Sequence, residues 1–331
     1  MTMQNEPDIV ESLIRTAGRR VEPPEEAYRQ VYAAASAAFR EKMARRRERL
    51  WLLGAAAAAV LVLAVALMLQ WTPPSAQRQE LARVQRVIGG AEQATGDVWQ
   101  PLGELRTPLT AGIKLRTLAD GRAALALSGG ESLRLAADTE VMLDAPGRLY
   151  VQRGTIYVDS GVRPAASRLE IVTPAGTARD LGTQFELQVA GAALRLRVRE
   201  GIVAIDRGGQ SLTGNAGEQL LIDDLGSVAR EPIAPDSPAW QWAESIAPTP
   251  DVDGKPAAVL ISWAARETGR RLHYESPIVE QRAATVILHG NIRHLPPLAA
   301  LEAMLATTDL EYILRGDTME IRARNTSPPE P

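Results

Sequence analysis

Residues 122–159 read RAALALSGGESLRLAADTEVMLDAPGRLYVQRGTIYVD. Their apolar residues fall two apart: Leu125 and Leu127, Leu133 and Leu135, Val141 and Leu143, Leu149 and Val151, Ile156 and Val158. A period of two places such residues on one face of an extended strand, whereas a helix needs a period near 3.6. Gly129-Gly130, Pro146-Gly147 and Gly154 punctuate the runs, with Asp120-Gly121 before them and Gly161 after. Strands thus recur at roughly 8 to 12 residues, the spacing of a mainly β roll, solenoid-like meander or sandwich.

Working outward, the same rhythm continues through Ile171 to Thr173, then Phe185, Leu187 and Val189, then Leu194, Leu196 and Val198, then Val203 and Ile205. Gly191 and Gly201 read as tight turns joining successive hairpins. One β domain is therefore expected over residues 81–230. Aromatic residues make up only 4% of the chain, so its core must be Leu, Val, Ile and Ala; Phe185, one of two phenylalanines, is expected to anchor it. Gly182 and Gly201 are expected to hold backbone conformations closed to other residues.

A Pro-rich stretch, 231–255, reads as a linker, after which the period changes to 3.6. Val259, Leu260, Trp263 and Ala264 share a helix face closed by Gly269; Arg271 to Tyr274 and Thr285 to Leu288 read as strands. Pro297 starts a second helix with Leu298, Leu301, Met304 and Leu305 inward, and Leu310 to Leu314 pairs with Thr318 to Ile321 across Gly316-Asp317. The order αββαββ makes residues 256–325 a small α+β module of βαβ type, followed by a disordered tail, 326–331.

Toward the N-terminus, Leu50 to Leu69 runs twenty residues without a charge, with Leu61 near its middle. At about 1.5 Å per residue that length spans roughly the 30 Å core of a bilayer. Arg45, Arg46, Arg47 and Arg49 precede it, residues 70–77 carry no charge, and Trp51 and Trp71 mark its edges. Positive residues stay inside, so residues 1–49 are read as cytoplasmic, 50–69 as one transmembrane helix, 70–80 as a linker and the rest as periplasmic, in an inner membrane. The competing readings are a buried globular helix, which seldom stays apolar on every face, and a cleavable signal peptide, which seldom follows so long an extension.

Two short helices are expected in residues 1–49: one bearing Ile9, Val10, Leu13 and Ile14, the other Tyr28, Tyr32, Ala35 and Phe39. So few residues bury little surface alone. Their apolar faces are read as sites for a cytoplasmic partner; the alternative is a solvated stem whose arginines serve topology and anionic lipid.

The chain has no cysteine, which excludes disulfides, thiolate metal sites and a cysteine nucleophile. A net charge of −3 gives no field for nucleic acid, and no direct nucleic-acid binding is expected. No nucleophile elbow, phosphate-binding loop, dinucleotide fingerprint or paired zinc histidines occurs, and His273, His289 and His294 lack the surroundings of a metal site. Asp251 to Gly254 opens like a calcium loop without its later ligands and reads as linker. The expectation is a non-enzyme with no cofactor.

Certain residues also carry a family likeness. Val172-Thr173-Pro174-Ala175-Gly176, Leu181-Gly182-Thr183-Gln184-Phe185 and Val198-Arg199-Glu200-Gly201-Ile202-Val203 resemble the TP.G....LGT.F and V.EG.V signatures of the FecR domain. The resemblance implies a periplasmic segment of an inner-membrane regulator acting on an extracytoplasmic-function sigma factor. Gly290 to Tyr312 is similar to the short domain found at the N-termini of secretins and TonB-dependent transducer receptors. By that likeness Gly290, Ile292, Arg293, Leu301, Leu305, Leu310, Glu311 and Tyr312 are docking candidates for such a receptor's periplasmic short domain, through strand addition or face-to-face contact. The alternative is a membrane-anchored periplasmic scaffold with no control of a sigma factor.

Overall fold

The computed structural model describes residues 14–16, 24–26, 29, 31–33, 79–102, 108–161, 169–180 and 182–324. It divides into two compact units, Met1–Gln77 and Arg78–Pro331. In the first, positions 14–16, 25, 26, 29 and 31–33 are helical and exposed, Ile14 and Tyr32 among them. Ile9, Val10, Leu13, Tyr28 and Phe39 lie outside the described residues, as do Leu50, Trp51, Leu61, Leu69, Arg45, Arg46, Arg47 and Arg49. Among the described residues no helix is long and apolar enough to cross a membrane.

The second unit is mainly β. Its strands are β1 (Glu80–Ile88), β2 (Ala91–Thr95), β3 (Val98–Pro101), β4 (Pro108–Thr110), β5 (Lys114–Thr117), β6 (Arg122–Leu127), β7 (Ser132–Leu135), β8 (Glu140–Ala145) and β9 (Arg148–Asp159). There follow β10 (Glu170–Thr173), β11 (Gly176–Asp180), β12 (Gln184–Ala190), β13 (Ala193–Glu200), β14 (Ile202–Arg207), β15 (Gln210–Asn215), β16 (Glu218–Ile222) and β17 (Val228–Pro232). They form one 17-stranded sheet curled into two layers. One layer runs β4-β1-β6-β7-β9-β12-β13-β16-β17, the other β3-β2-β5-β8-β9-β10-β11-β14-β15. The chain passes back and forth between the layers, laying down a strand or a hairpin at each visit. Phe185, Leu125, Leu133, Leu149, Ile171, Leu196 and Ile205 meet in one core between them. Each buried side chain of this size contributes on the order of 1.5–3 kcal/mol.

Among the described strands only β9 belongs to both layers, and here the sequence expectation is corrected. Leu149 and Val151 were expected on one strand and Ile156 and Val158 on the next; all four lie on β9. Its first half pairs with β8 and β10, its second half with β7 and β12. Gly154, φ +98°, makes the transfer, and a Cβ there would stand 2.4 Å from Thr139 Cα. A glycine within an alternating run marks a bend as readily as a turn. Gly201 is a second correction: Gly191 does turn the β12–β13 hairpin, but β14 leaves β13 at Gly201 to pair with β11 and β15 in the other layer.

The C-terminal residues have their own core, built on Leu260, Ile261, Leu301, Leu305, Leu310 and Ile321. Helix α1 (Gln241–Ser245) follows a 3₁₀ turn, Pro238–Trp240, so the stretch read as a linker holds structure and fully buries Trp240. Then come β18 (Lys255–Pro256), α2 (Ala257–Glu267), β19 (Arg271–Tyr274), α3 (Pro277–Thr285), β20 (Ile287–Leu288), α4 (Pro297–Leu305), β21 (Leu310–Arg315) and β22 (Thr318–Ala323). β19, β22 and β21 form a sheet in that order, with β19 and β22 parallel; β18 pairs with β20. Helix α3 departs from the expected αββαββ order. Ser276 caps it by accepting from the Val279 amide at 3.4 Å and Pro277 takes its first position, but only Val279 and Ala283 are buried. So thin an apolar stripe leaves little period to read.

Candidate functional site

Two of the FecR-like signatures, at Gly182 and Gly201, lie at corners where the chain changes layer, and the third turns a hairpin within one layer. Thr173 and Gly176 close the β10–β11 hairpin: Thr173 Oγ1 donates to the Gly176 carbonyl at 2.7 Å and accepts from the Ala175 amide at 3.1 Å, with Pro174 exposed between them. Leu181 lies outside the described residues. A Cβ on Gly201 would fall 2.6 Å from the Gly182 carbonyl oxygen and 2.6 Å from Thr183 Cγ2, so the two signatures touch there. Phe185, fully buried, starts into the core next door.

Outward-facing residues of the same strands form a polar row across the first layer. Register sets Arg134 opposite Tyr157, Tyr157 opposite Glu186, Glu186 opposite Arg197, Arg197 opposite Gln219 and Gln219 opposite Glu231. One face of an antiparallel sheet ordinarily faces water. Here residues 233–247 and the end of α2 cover much of it. Trp242 Nε1 donates to Glu186 Oε2 at 2.7 Å, and Arg197 Nη1 donates to Glu186 Oε1 at 3.1 Å.

Under that cover lies a buried charge cluster. Arg134, 0% exposed, donates to Glu267 Oε1 at 2.8 Å and to the Ala243 carbonyl at 3.0 Å. Arg199 donates to the Pro235 carbonyl at 2.6 Å, the Glu267 carbonyl at 2.8 Å and Glu244 Oε1 at 2.7 Å. Arg266 bridges Asp159 at 2.5 Å and Glu200 at 3.0 Å, while Gln184 donates to Asp159 at 2.9 Å. Two aromatics stack into this array: Arg134 lies 5.0 Å from the Tyr157 ring, Arg199 lies 5.0 Å from the Trp240 ring, and the two rings meet edge to face at 6.1 Å.

Titration follows the surroundings. Burial pushes the Tyr157 hydroxyl up to about 12, outweighing Arg199 and Arg134, which pull it down. Burial also works to raise Asp159, but the Arg266 guanidinium, the Gln184 amide and the Gly161 amide together hold it below the ordinary carboxylate value. Burial acts to lower Arg134, and the Glu267 charge reverses that, leaving it raised.

The docking candidates separate by exposure. Ile292, Leu301, Leu305 and Leu310 are interior residues of the module's own core, because the apolar stripe that made them legible is the stripe a helix must bury. They present no docking surface. Gly290 and Arg293 are exposed, and Glu311 and Tyr312 lie half-buried on β21, one of the two outer strands of its sheet. Asp253 accepts from the Gly290 amide at 3.2 Å and lies 3.3 Å from His289 Nδ1, tying the stretch read as linker to this loop.

Arg134, Glu267, Tyr157 and Trp240 belong to no motif of the sequence, and Arg199 falls at the unspecified position of the V.EG.V signature. Arg134 and Arg199 sit at outward positions of alternating strands, where arginine looks solvated; the signal available was Trp240 and Trp242, two bulky aromatics in a stretch otherwise composed like a linker.

The FecR protein family model matches residues 113–204. No curated protein matches the chain. Two crystal structures of a "putative anti-sigma factor" from Parabacteroides distasonis ATCC 8503, at 2.50 and 1.65 Å resolution, align with it at 15% and 14% identity. Each alignment covers 63% of this chain, with 98% and 97% of those chains, at a TM-score of 0.35, too low to establish a common fold. The matched residues include the paired corners at Gly182 and Gly201, and this chain therefore carries a FecR domain.

Proposed function

We propose that the chain is a single-pass inner-membrane regulator whose periplasmic unit, 78–331, passes the state of an envelope receptor to an anti-sigma tail, residues 1–49. The carrying observation is the FecR domain match at residues 113–204, on a chain whose uncharged segment 50–69 has arginines on its N-terminal side. The tail's partner in this reading is an extracytoplasmic-function sigma factor. The receptor's periplasmic short domain meets the C-terminal module, 256–325, at exposed Arg293 and along β21, where an outer strand offers unpaired backbone groups. The module's own likeness to that short domain belongs to this proposal. For a signal to pass, the receptor must bind two states of the periplasmic unit unequally, because equal affinity shifts no equilibrium.

Co-purification of the tagged full chain from native membranes tests the tail, with a variant lacking residues 1–49 as control. A sigma factor recovered only with the full chain is the expected result; recovery of neither, or of envelope proteins alone, replaces the regulator with a scaffold. For the module, Arg293→Glu and Glu311→Arg should weaken receptor-domain binding about tenfold each with unchanged melting, and unchanged affinity removes that surface.

A further inference from the structure

Among the described residues the β core and the C-terminal core share no residue, and a third cluster consists of Tyr157, Trp240 and Ala243 with Ile233 and Trp242 packed against it. Around that cluster, much of what joins the two parts is charge. Arg134, Arg199 and Arg266 face Glu267, Glu244, Asp159 and Glu200 across the seam, most of them buried. Glu267 and Arg266 end helix α2 of the module, while Arg134, Arg199 and Asp159 stand on strands β7, β13 and β9.

Such a seam differs from an apolar one in how it fails. Buried ion pairs gain in mutual attraction roughly what they lose in hydration, so the charges themselves add little to the closed seam beyond what burial of Trp240 and Tyr157 supplies. Half-open arrangements are the costly ones, since each leaves a guanidinium or carboxylate dry and unpaired. The closed array already has little to spare: Arg134 Nε and the Tyr157 hydroxyl are buried with no hydrogen-bond partner among the described residues. A contact of this kind therefore has two favourable states and a steep path between them.

We propose that the seam is a latch: the C-terminal module undocks from the FecR domain as a folded body, with 233–247 as its strap and Arg134–Glu267 as its central pair. This holds whatever partner the module meets, and so stands independently of the sigma-factor reading.

Hydrogen exchange by mass spectrometry on the full chain in lipid nanodiscs tests it. In the wild-type protein, residues 233–247 and 266–270 should exchange together through an opening that leaves β12, β13 and α4 protected; exchange of all of these at one common rate overturns the latch. In Glu267→Gln or Arg134→Met, the strap should exchange about a hundredfold faster with both cores still protected. The double variant Arg134→Met/Glu267→Met should return to within about tenfold of wild type, because neither charge is left stranded. Single variants that loosen both cores equally, or that leave the strap unchanged, contradict the proposal, and the wild-type measurement decides should a variant fail to fold.

Discussion

Asp159 shows how one side chain ties two parts of the molecule together. Its carboxylate, nearly buried, accepts from Arg266 of the C-terminal module and Gln184 of the β domain, and its pKa is lowered despite burial. A depressed folded-state pKa means stability that is present above the unfolded value, about 3.9, and lost as pH falls through the folded one. Asp159→Asn should therefore cost about 3 kcal/mol at pH 7, or roughly 6–12 °C in Tm. The gap to wild type should narrow as pH falls from 5 to 3, and a gap constant with pH would deny the ion pair this role. Little of this was legible beforehand. Asp159 closes a strand whose alternation points it away from the core, and alternation says which face a residue occupies but not what later covers that face.

At the scale of the element, period two was enough to place the strands, because β-branched and leucine residues two apart can bury only one face. It could not show where a strand changes partners. Gly154 and Gly130 have nearly the same φ, +98° and +99°, yet a Cβ at Gly130 meets nothing within 4 Å while one at Gly154 strikes Thr139. Gly130→Ala should therefore cost only backbone strain, about 1–2 kcal/mol. Gly154→Ala should cost at least about twice that, read as thermal melting of the full chain in detergent. Equal losses would mean that the corner in β9 has room to relax. Helix α3 escaped notice for the opposite reason: its caps were written in the sequence, but its stripe of buried residues was too thin to raise a period.

For the whole molecule, the composition and the family signatures led to a β domain with a smaller α+β partner, and the structure joins these across a charged seam that no stretch of sequence announces by itself. Glu267 and Arg134 lie 133 residues apart, and their pairing exists only after both parts have folded. The regulator reading adds that this joined unit and the tail occupy different compartments, since a sigma factor and an envelope receptor are never on the same side of the membrane. A reporter fused after Pro331 measures that directly in intact cells. Alkaline phosphatase at that position should be active and a fluorescent protein that matures only in the cytosol should be dark; the reverse pattern would place the FecR domain on the cytoplasmic side and contradict the account.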